Sequence, residues 1–263
     1  MTGYPTSLGT SDESSITVLG QDLAAELMGK VGFADLSFSL VALRRPSPGE
    51  LRVFEAVLVA LTEHGFTPSV IATRLTLTGA PESVQGAMAA GLLGGGSRFL
   101  GVTEDCGRFL AETLAAHVVA GGQLPTSDEG WDDLARSAIN AKRAAKSFVP
   151  GLGHPVHKSG DPRTPALMRI ASEEGVTGPH LNLFAAIGRV HPEILGRTLP
   201  LNGAGVCGAA LADLGFAPEI LRGFALLARA AGLLGHIAEE MRQPVGIDVY
   251  HDVEDGIDYL SPE

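Results

Sequence analysis

The chain has 263 residues, and its 19 Lys and Arg residues against 30 Asp and Glu residues give a formal net charge of −11. A chain of this length with 45% hydrophobic residues can bury a substantial core, which argues against global disorder. The negative charge argues against a nucleic-acid-binding protein, because contact with phosphates needs a basic surface.

The first predicted element is a short strand at residues 16–19, where β-branched residues alternate. Ser47 and Glu50 then form the pattern of a capping box, with Pro48 at the first helical position. Apolar residues recur after it at a 3.6-residue period until Gly65. This pattern predicts a helix that ends just before Gly65.

A second helix is predicted from Thr67 to near Gly79, because Pro68 follows a small polar residue. The same start and stop signals predict further helices at about 82–93, 104–120, 128–146, 164–174, 180–189, 203–213 and 217–242. Glycine accounts for 34 residues, nearly twice the usual share of about 7%. We therefore expect an all-α protein whose helices approach closely.

Two cysteines, Cys106 and Cys207, are too few for a disulfide scaffold, and their spacing does not match a zinc site. The first fifteen residues are polar, and no uninterrupted apolar run reaches about 18 residues. We therefore expect a cytoplasmic protein without a signal peptide, a membrane-spanning segment or a bound metal.

The densest polar segment is a glycine- and proline-rich stretch between two predicted helices. Its candidate binding residues are Gly151, Gly153, His154, Lys158 and Arg163. Glycine lets a backbone approach a ligand closely, and arginine can bind a carboxylate through two parallel hydrogen bonds. From these residues alone, the segment is either a binding loop or an ordinary polar connector.

Two isolated residues are ambiguous in the same way. His64 lies at the end of a predicted helix, where it could simply favour the negative end of the helix dipole. Arg229 lies in an apolar helix and, if buried, needs an anionic partner. That partner could be a structural Asp or a carboxylate of a ligand.

Several segments in this order resemble motifs of the citrate synthase family. The most specific is Gly-Leu-Gly-His-Pro-Val at 151–156, followed by Asp-Pro-Arg at 161–163. Thr-Glu-His-Gly at 62–65 resembles the family's Asp-His-Gly motif, and 228–236 resembles its arginine-containing helix. The chain is most similar to short bacterial citryl-CoA lyase-like members and to the citrate-synthase-like module of ATP-citrate lyase, from about residue 16 to 242.

The resemblance implies an all-α homodimer whose protomers have a large and a small domain. The large domain would comprise residues 1–100 and 216–263, and the small domain residues 101–215. The domains would close over an acyl-CoA and a dicarboxylate, with the coenzyme A thioester as a substrate and no metal.

The resemblance also implies roles for individual side chains. His154 and His64 would be the catalytic histidines, with His154 on the ketone or hydroxyl oxygen and His64 also near substrate carboxylates. Carboxylates would be bound by Arg163 and Arg229, and by Arg242 across a dimer interface. The loop with Gly151, Gly153 and Lys158 would contact coenzyme A, the lysine through its phosphates.

Two positions depart from the family pattern. Ala204 stands where the family has its catalytic aspartate, and Phe99 stands where it has a second catalytic histidine. Alanine cannot transfer a proton, and a general acid or base typically contributes about 10²–10⁴-fold. Cleavage would then need another proton carrier: His154 for the hydroxyl proton, with Cys207, Asp105 or Glu104 as candidate donors to the enolate.

The leading hypothesis is therefore a lyase that cleaves citryl-CoA, or a related 3-hydroxyacyl-CoA, into an acyl-CoA and a carbonyl compound. The first alternative is a citrate or methylcitrate synthase, against which Ala204 argues. The second is a noncatalytic paralogue that binds acyl-CoA or a dicarboxylate and regulates a partner.

Overall fold

The computed structural model describes residues 3–262. Within that range, eleven α-helices form most of the structure, which confirms the all-α prediction. They are α1 (Phe33–Ala42), α2 (Pro48–Thr62), α3 (Pro68–Gly79), α4 (Val84–Leu93), α5 (Val102–Val119), α6 (Asp128–Ala144), α7 (Arg163–Glu173), α8 (Pro179–Leu195), α9 (Gly203–Asp213), α10 (Pro218–Glu240) and α11 (Gly246–Asp255).

The strand predicted at residues 16–19 belongs to a small antiparallel sheet near the N-terminus. The sheet consists of β1 (Gly9–Ser11), β2 (Ile16–Val18) and β3 (Gln21–Asp22), in that order. A short π-helical segment, Leu23–Leu27, follows the sheet directly.

Two helices that the sequence did not predict begin without a side-chain cap of their own. Gly32 precedes α1 and caps no amide through a side chain. The start of α11 is stabilised instead by Glu240, whose Oε1 accepts N–H bonds from Val245 at 3.0 Å and Gly246 at 2.7 Å. Because Glu240 belongs to the preceding helix, no local start signal marks α11.

Helix α8 extends six residues beyond its predicted end and includes Pro192. The ring of His191 bridges this part of the chain: Nδ1 lies 3.0 Å from the carbonyl oxygen of Ile187, and Nε2 accepts the N–H of Leu199 at 2.9 Å. Gly196, in the left-handed region at φ 66°, then ends the helix.

Helix α10 is central to the packing and touches α2, α3, α4, α5 and α9. It is long and apolar enough to cross a membrane, but 44% of its most apolar stretch is buried against the rest of the protein. It also buries two charged residues, Arg229 and Glu240, both 4% exposed. These contacts identify α10 as a core helix of this fold.

Helices α5 and α9 show why the chain is rich in glycine. A Cβ atom added at Gly208 would overlap the carbonyl oxygen of Thr103, and one added at Gly107 would overlap Leu221. The main hydrophobic core includes residues of both predicted domains, from Phe38 to Ala228. The domain boundaries stay a prediction, and residues 1, 2 and 263 lie outside the described range.

Candidate active site

One cavity of about 790 Å³ brings together most of the predicted site residues. Its walls come from the ends of α2, α5, α7 and α9, from the middle of α10 and from the loop before α7. The predicted residues that line it are His64, Gly151, Gly153, His154, Arg163 and Arg229. Sequence positions up to 165 residues apart therefore meet at a single site.

The loop that carries His154 is fastened to the segment before α9 by main-chain hydrogen bonds. The N–H of Gly153 donates to the carbonyl oxygen of Pro200 at 2.7 Å, and the N–H of Asn202 donates to that of Gly151 at 2.9 Å. The Asn202 side chain adds a bond from Nδ2 to the carbonyl oxygen of Gly153 at 2.8 Å. Gly151 and Gly153 have φ values of 86° and 87°, which favour glycine.

The ring of His154 has a defined hydrogen-bonding pattern. Its Nδ1 accepts the main-chain N–H groups of Val156 at 3.1 Å and His157 at 2.9 Å. A nitrogen that accepts these bonds carries no proton, so the neutral ring carries its proton on Nε2. Burial, followed by the nearby charge of His157, lowers the pKa of His154 to about 4.

His154 is therefore a neutral N–H donor at neutral pH. With Nδ1 occupied and Nε2 protonated, the ring has no free lone pair in the plane of the imidazole. The predicted role of His154 as the base for a hydroxyl proton has no support from this pattern. A donor to a substrate oxygen is the role that fits the contacts.

Arg163 is oriented by the buried carboxylate of Asp161. Its Nε donates to Oδ1 at 3.0 Å and its Nη2 to Oδ2 at 2.7 Å, while Nη1 reaches the carbonyl oxygen of Ala60 at 3.2 Å. Burial alone would raise the pKa of Asp161, but bonds from Arg163 and from the N–H of Gly203 keep it far below its usual range. The guanidinium is thus fixed at the cavity wall.

Arg229 is buried but incompletely paired. Its Nε and Nη1 have no hydrogen-bond partner among residues 3–262. The nearest carboxylate oxygen, Oε2 of Glu63, lies 3.6 Å from Nη1. Burial lowers the pKa of Arg229. Because a buried cation is costly without an anion, this guanidinium is suited to a carboxylate of a ligand.

Glu63 is positioned by a network that sequence reasoning missed. Its Oε2 lies 3.0 Å from Nε2 of His236, and the opposite ring nitrogen lies 2.7 Å from Nη2 of Arg74. Arg74 is 2% exposed and also donates to Glu240 at 2.7 Å. Burial favours a raised pKa for Glu63, but the bond and charge of His236 outweigh it and lower the pKa.

Two predicted residues lie elsewhere. Lys158 and Arg242 are exposed and do not line the cavity, so their roles toward coenzyme A and a partner subunit stay predictions. Three other cationic side chains do line it, namely Arg98, Arg108 and Lys142. They come from the loop before α5, from α5 and from α6, and no local motif in the sequence marks them.

The two positions that depart from the family pattern, Phe99 and Ala204, both line the cavity. Of the proposed donors to the enolate, only Asp105 also lines it. Glu104 is paired with Arg108 at 3.0 Å and Arg222 at 2.9 Å.

The third proposed donor, Cys207, is fully buried, which raises the pKa of its thiol to about 12. Its thiol therefore stays protonated, but it does not line the cavity. Asp105 is the candidate that the geometry favours.

A third histidine, His157, lies beside the two predicted ones. Ring centroids are 4.5 Å apart for His154 and His157, 5.3 Å for His64 and His157, and 5.1 Å for His64 and His154. One nitrogen from each ring lies within 4.8 Å of the others. The sequence expectation of no metal did not consider this cluster, because His64 is 90 residues or more away from the other two in the chain.

Comparison with known proteins places most of the chain in one family. Residues 21–247 match the family described as Citrate synthase, C-terminal domain. The 2-methylcitrate synthase 2 of Corynebacterium glutamicum is 26% identical over 200 residues, which are 74% of this chain and 47% of the relative. The citrate synthase of Deinococcus radiodurans is 25% identical over 231 residues, which are 84% of this chain and 55% of the relative. The chain spans about half the length of these curated relatives.

Solved structures give a match over nearly the full chain. Citryl-CoA lyase from Hydrogenobacter thermophilus superposes with a TM-score of 0.83 at 28% identity, over 99% of this chain and 95% of that one. ATP citrate lyase from Methanosaeta concilii, solved with (3S)-citryl-CoA, has a TM-score of 0.76 at 21% identity, over 100% of this chain and 42% of that one, which shows the shared fold. This chain therefore belongs to the citrate synthase family and has its helical fold.

Proposed function

We propose that the protein cleaves citryl-CoA, or a related 3-hydroxyacyl-CoA, into acetyl-CoA or another acyl-CoA and oxaloacetate or another carbonyl compound. The observation that carries this proposal is the cavity that His154 shares with two guanidinium groups, those of Arg163 and Arg229. Similarity to a citryl-CoA lyase over 99% of the chain supports the same reaction class.

The two arginines bind the carboxylates of the substrate. Asp161 already fixes the guanidinium of Arg163. Orienting this side chain therefore costs little entropy when the substrate binds. The two unpartnered nitrogens of Arg229 gain hydrogen bonds only when a ligand arrives. Charge-assisted bonds of this kind are stronger than neutral ones and specific for carboxylates.

His154 donates its Nε2–H to the hydroxyl oxygen and then to the ketone oxygen that forms from it. The ring is already oriented by the N–H groups of Val156 and His157. A donor that is fixed in advance stabilises charge on the oxygen without reorganisation, which is commonly the largest catalytic contribution.

Asp105 carries the proton. The hydroxyl proton passes to its carboxylate while the bond between the hydroxyl-bearing carbon and the thioester α-carbon breaks. The electron pair of that bond goes to the α-carbon and forms the enolate, and Asp105 returns the proton to this carbon. One carboxylate thus performs both transfers, and Ala204 need not take part.

The coenzyme A portion lies against the part of the lining that contains Arg98, Lys142 and Phe148. Arg98 and Lys142 supply positive charge for its phosphates. Phe148, which is 91% exposed, offers an apolar surface to the rest of the cofactor. Lys158 lies outside the lining, so its contact with the coenzyme A phosphates stays a prediction.

We propose that the protein is a cytoplasmic homodimer. Several apolar residues at the end of α11 and just after it are exposed, which supports contact with a partner subunit through this segment. These residues are Val253, Ile257, Tyr259 and Leu260, all more than 60% exposed. Both cysteines are free, which is compatible with a reducing compartment.

The purified protein is expected to release oxaloacetate from citryl-CoA, because the cavity combines carboxylate anchors, an oxygen donor and a proton carrier. Coupled oxidation of NADH by malate dehydrogenase measures that release. A parallel assay with acetyl-CoA and oxaloacetate measures free thiol and tests the synthase alternative, which the curated relatives favour. Coenzyme A binding without turnover of any 3-hydroxyacyl-CoA in either assay would contradict the proposal and favour a regulatory paralogue.

Arg229→Met is expected to weaken oxaloacetate binding by about 10–100-fold, because hydrogen bonds to a charged group contribute about 1.5–3 kcal/mol. The inhibition constant of oxaloacetate against citryl-CoA measures the effect. Arg197→Met, which removes an exposed arginine outside the cavity, is the matched control. Equal inhibition constants for the two variants would remove Arg229 from the binding site.

A further inference from the structure

One face of α10 carries Arg229, Gly232 and His236, which follow one another at helical spacings of three and four residues. The end of α2 packs against this face, because a Cβ atom added at Gly232 would overlap the carbonyl oxygen of Thr62. The same Cβ atom would lie 3.1 Å from Oε2 of Glu63. The missing side chain at Gly232 therefore lets the Glu63 carboxylate approach both Arg229 and His236.

The carboxylate of Glu63 is held by two hydrogen bonds, and neither comes from Arg229. Its Oε2 lies 3.0 Å from Nε2 of His236, and because a carboxylate only accepts, Nε2 is the donor. Its Oε1 accepts the main-chain N–H of Gly65. Nη1 of Arg229 lies 3.6 Å from Oε2, which is beyond hydrogen-bonding distance. Glu63 therefore stops short of the guanidinium beside it.

The imidazole ring of His236 is fixed from its other side by Arg74. Nη2 and Nε of Arg74 lie 2.7 Å and 3.2 Å from Nδ1 of His236, and because arginine only donates, Nδ1 is the acceptor. Arg74 is 2% exposed and also donates to Glu240 at 2.7 Å. These contacts direct the Nε2–H of His236 at Glu63 without the help of a ligand.

We propose that His236 is a positioning residue that holds Glu63 away from Arg229 and so keeps this guanidinium free for a carboxylate of the substrate. The inference rests on the proposed role of Arg229 in binding the substrate. Nε and Nη1 of Arg229 have no hydrogen-bond partner among the residues described. A shift of Oε2 by roughly 0.7 Å would bring it to a normal hydrogen-bonding distance from Nη1. The substrate would then have to displace Glu63 before it could bind.

Two substitutions at position 236 separate this role from a purely structural one. In His236→Asn, Oδ1 can replace Nδ1 as the acceptor for Arg74, but no donor remains at the position of Nε2. In His236→Gln, the side-chain amide keeps a donor to Glu63 and leaves the position of Nδ1 without an acceptor. If His236 only stabilised Arg74, the glutamine variant would be the more damaged one. In the proposed role, the asparagine variant is.

Titration calorimetry of the full chain with oxaloacetate measures the effect without turnover. His236→Asn should raise the dissociation constant roughly tenfold, the effect of one hydrogen bond to a charged group that the ligand must displace. His236→Gln should bind oxaloacetate nearly as tightly as the wild type. With citryl-CoA, His236→Asn should raise KM and change kcat little, because Glu63 then competes with binding.

A second substitution tests whether Glu63 is the competitor. Adding Glu63→Gln to His236→Asn should restore oxaloacetate binding, because a neutral amide is not attracted to Arg229. A crystal structure of His236→Asn gives a readout that needs no ligand. An oxygen of Glu63 should lie within about 3.2 Å of Nη1 of Arg229 in that variant.

Three results would overturn the proposal: a Glu63 oxygen that stays 3.6 Å from Arg229 in His236→Asn, equal dissociation constants for the asparagine and glutamine variants, or no rescue by Glu63→Gln. Cleavage of citryl-CoA by the wild type alongside any of these results would confine the failure to this inference. Absence of oxaloacetate binding to the wild type would instead overturn the proposed function, and this inference with it.

Discussion

Asp105→Asn is expected to lower kcat for citryl-CoA cleavage by about 10²–10⁴-fold, the usual contribution of a general acid or base. Asparagine has nearly the same shape as aspartate but cannot accept the hydroxyl proton. Binding should change little, so the loss should appear in kcat more than in KM. Stopped-flow measurement of oxaloacetate release would give both parameters.

Glu112→Gln is the matched control, because Glu112 also lies on α5 and lines the cavity. It is exposed, and its removal should leave kcat close to the wild-type value. A second readout is exchange of the acetyl-CoA methyl protons with deuterium oxide, which Asp105→Asn should abolish. Normal exchange in that variant would assign the proton to another group.

His154→Asn is expected to lower kcat/KM by about 10²–10³-fold, the cost of losing one oxyanion donor. The asparagine Oδ1 can accept the N–H groups of Val156 and His157, as Nδ1 does now. The loop contacts are thereby retained, while the donor that corresponds to Nε2 is lost. The coupled assay measures the ratio.

His154→Gln provides the complementary test, since its Nε2 amide can reach the position of the imidazole Nε2. It should retain more activity than His154→Asn. Because the pKa of His154 is lowered to about 4, the folded protein leaves this ring neutral above about pH 5. The pH profile of kcat/KM should therefore contain no inflection near pH 6.5 that is due to His154. The substitution His154→Asn should leave the shape of the profile in that range unchanged. Such an inflection would indicate that His154 titrates and acts as a base.

Sequence patterns predicted those parts of the fold whose signals are local. The capping box at Ser47 is present, with the N–H of Ser47 bound to Oε2 of Glu50 at 2.8 Å. The glycine, histidine and arginine content of the loop with His154 and Arg163 marked it as either a binding loop or a polar connector, and the family motif within the same segment then favoured binding. Each of these features depends on residues a few positions apart, so one sequence suffices to find it.

Features that depend on distant residues could not be predicted in this way. Helix α11 is capped by Glu240, and Glu63 is positioned through His236 by Arg74 on α3. The hydrogen-bonding role of His154 depends on two amide contacts that no residue pattern reveals. Tertiary contacts decide these details, and the sequence shows only the residue types that take part.

The main-chain bonds between residues 151–153 and 200–202 limit how this protein can evolve. An insertion or deletion in either segment would shift one wall of the cavity against the other and misalign its functional groups. New acyl chains are therefore more readily accommodated by replacing single side chains elsewhere in the cavity lining, such as Phe99, than by changing loop length. Diversification of substrate range in such a scaffold should proceed through point substitutions.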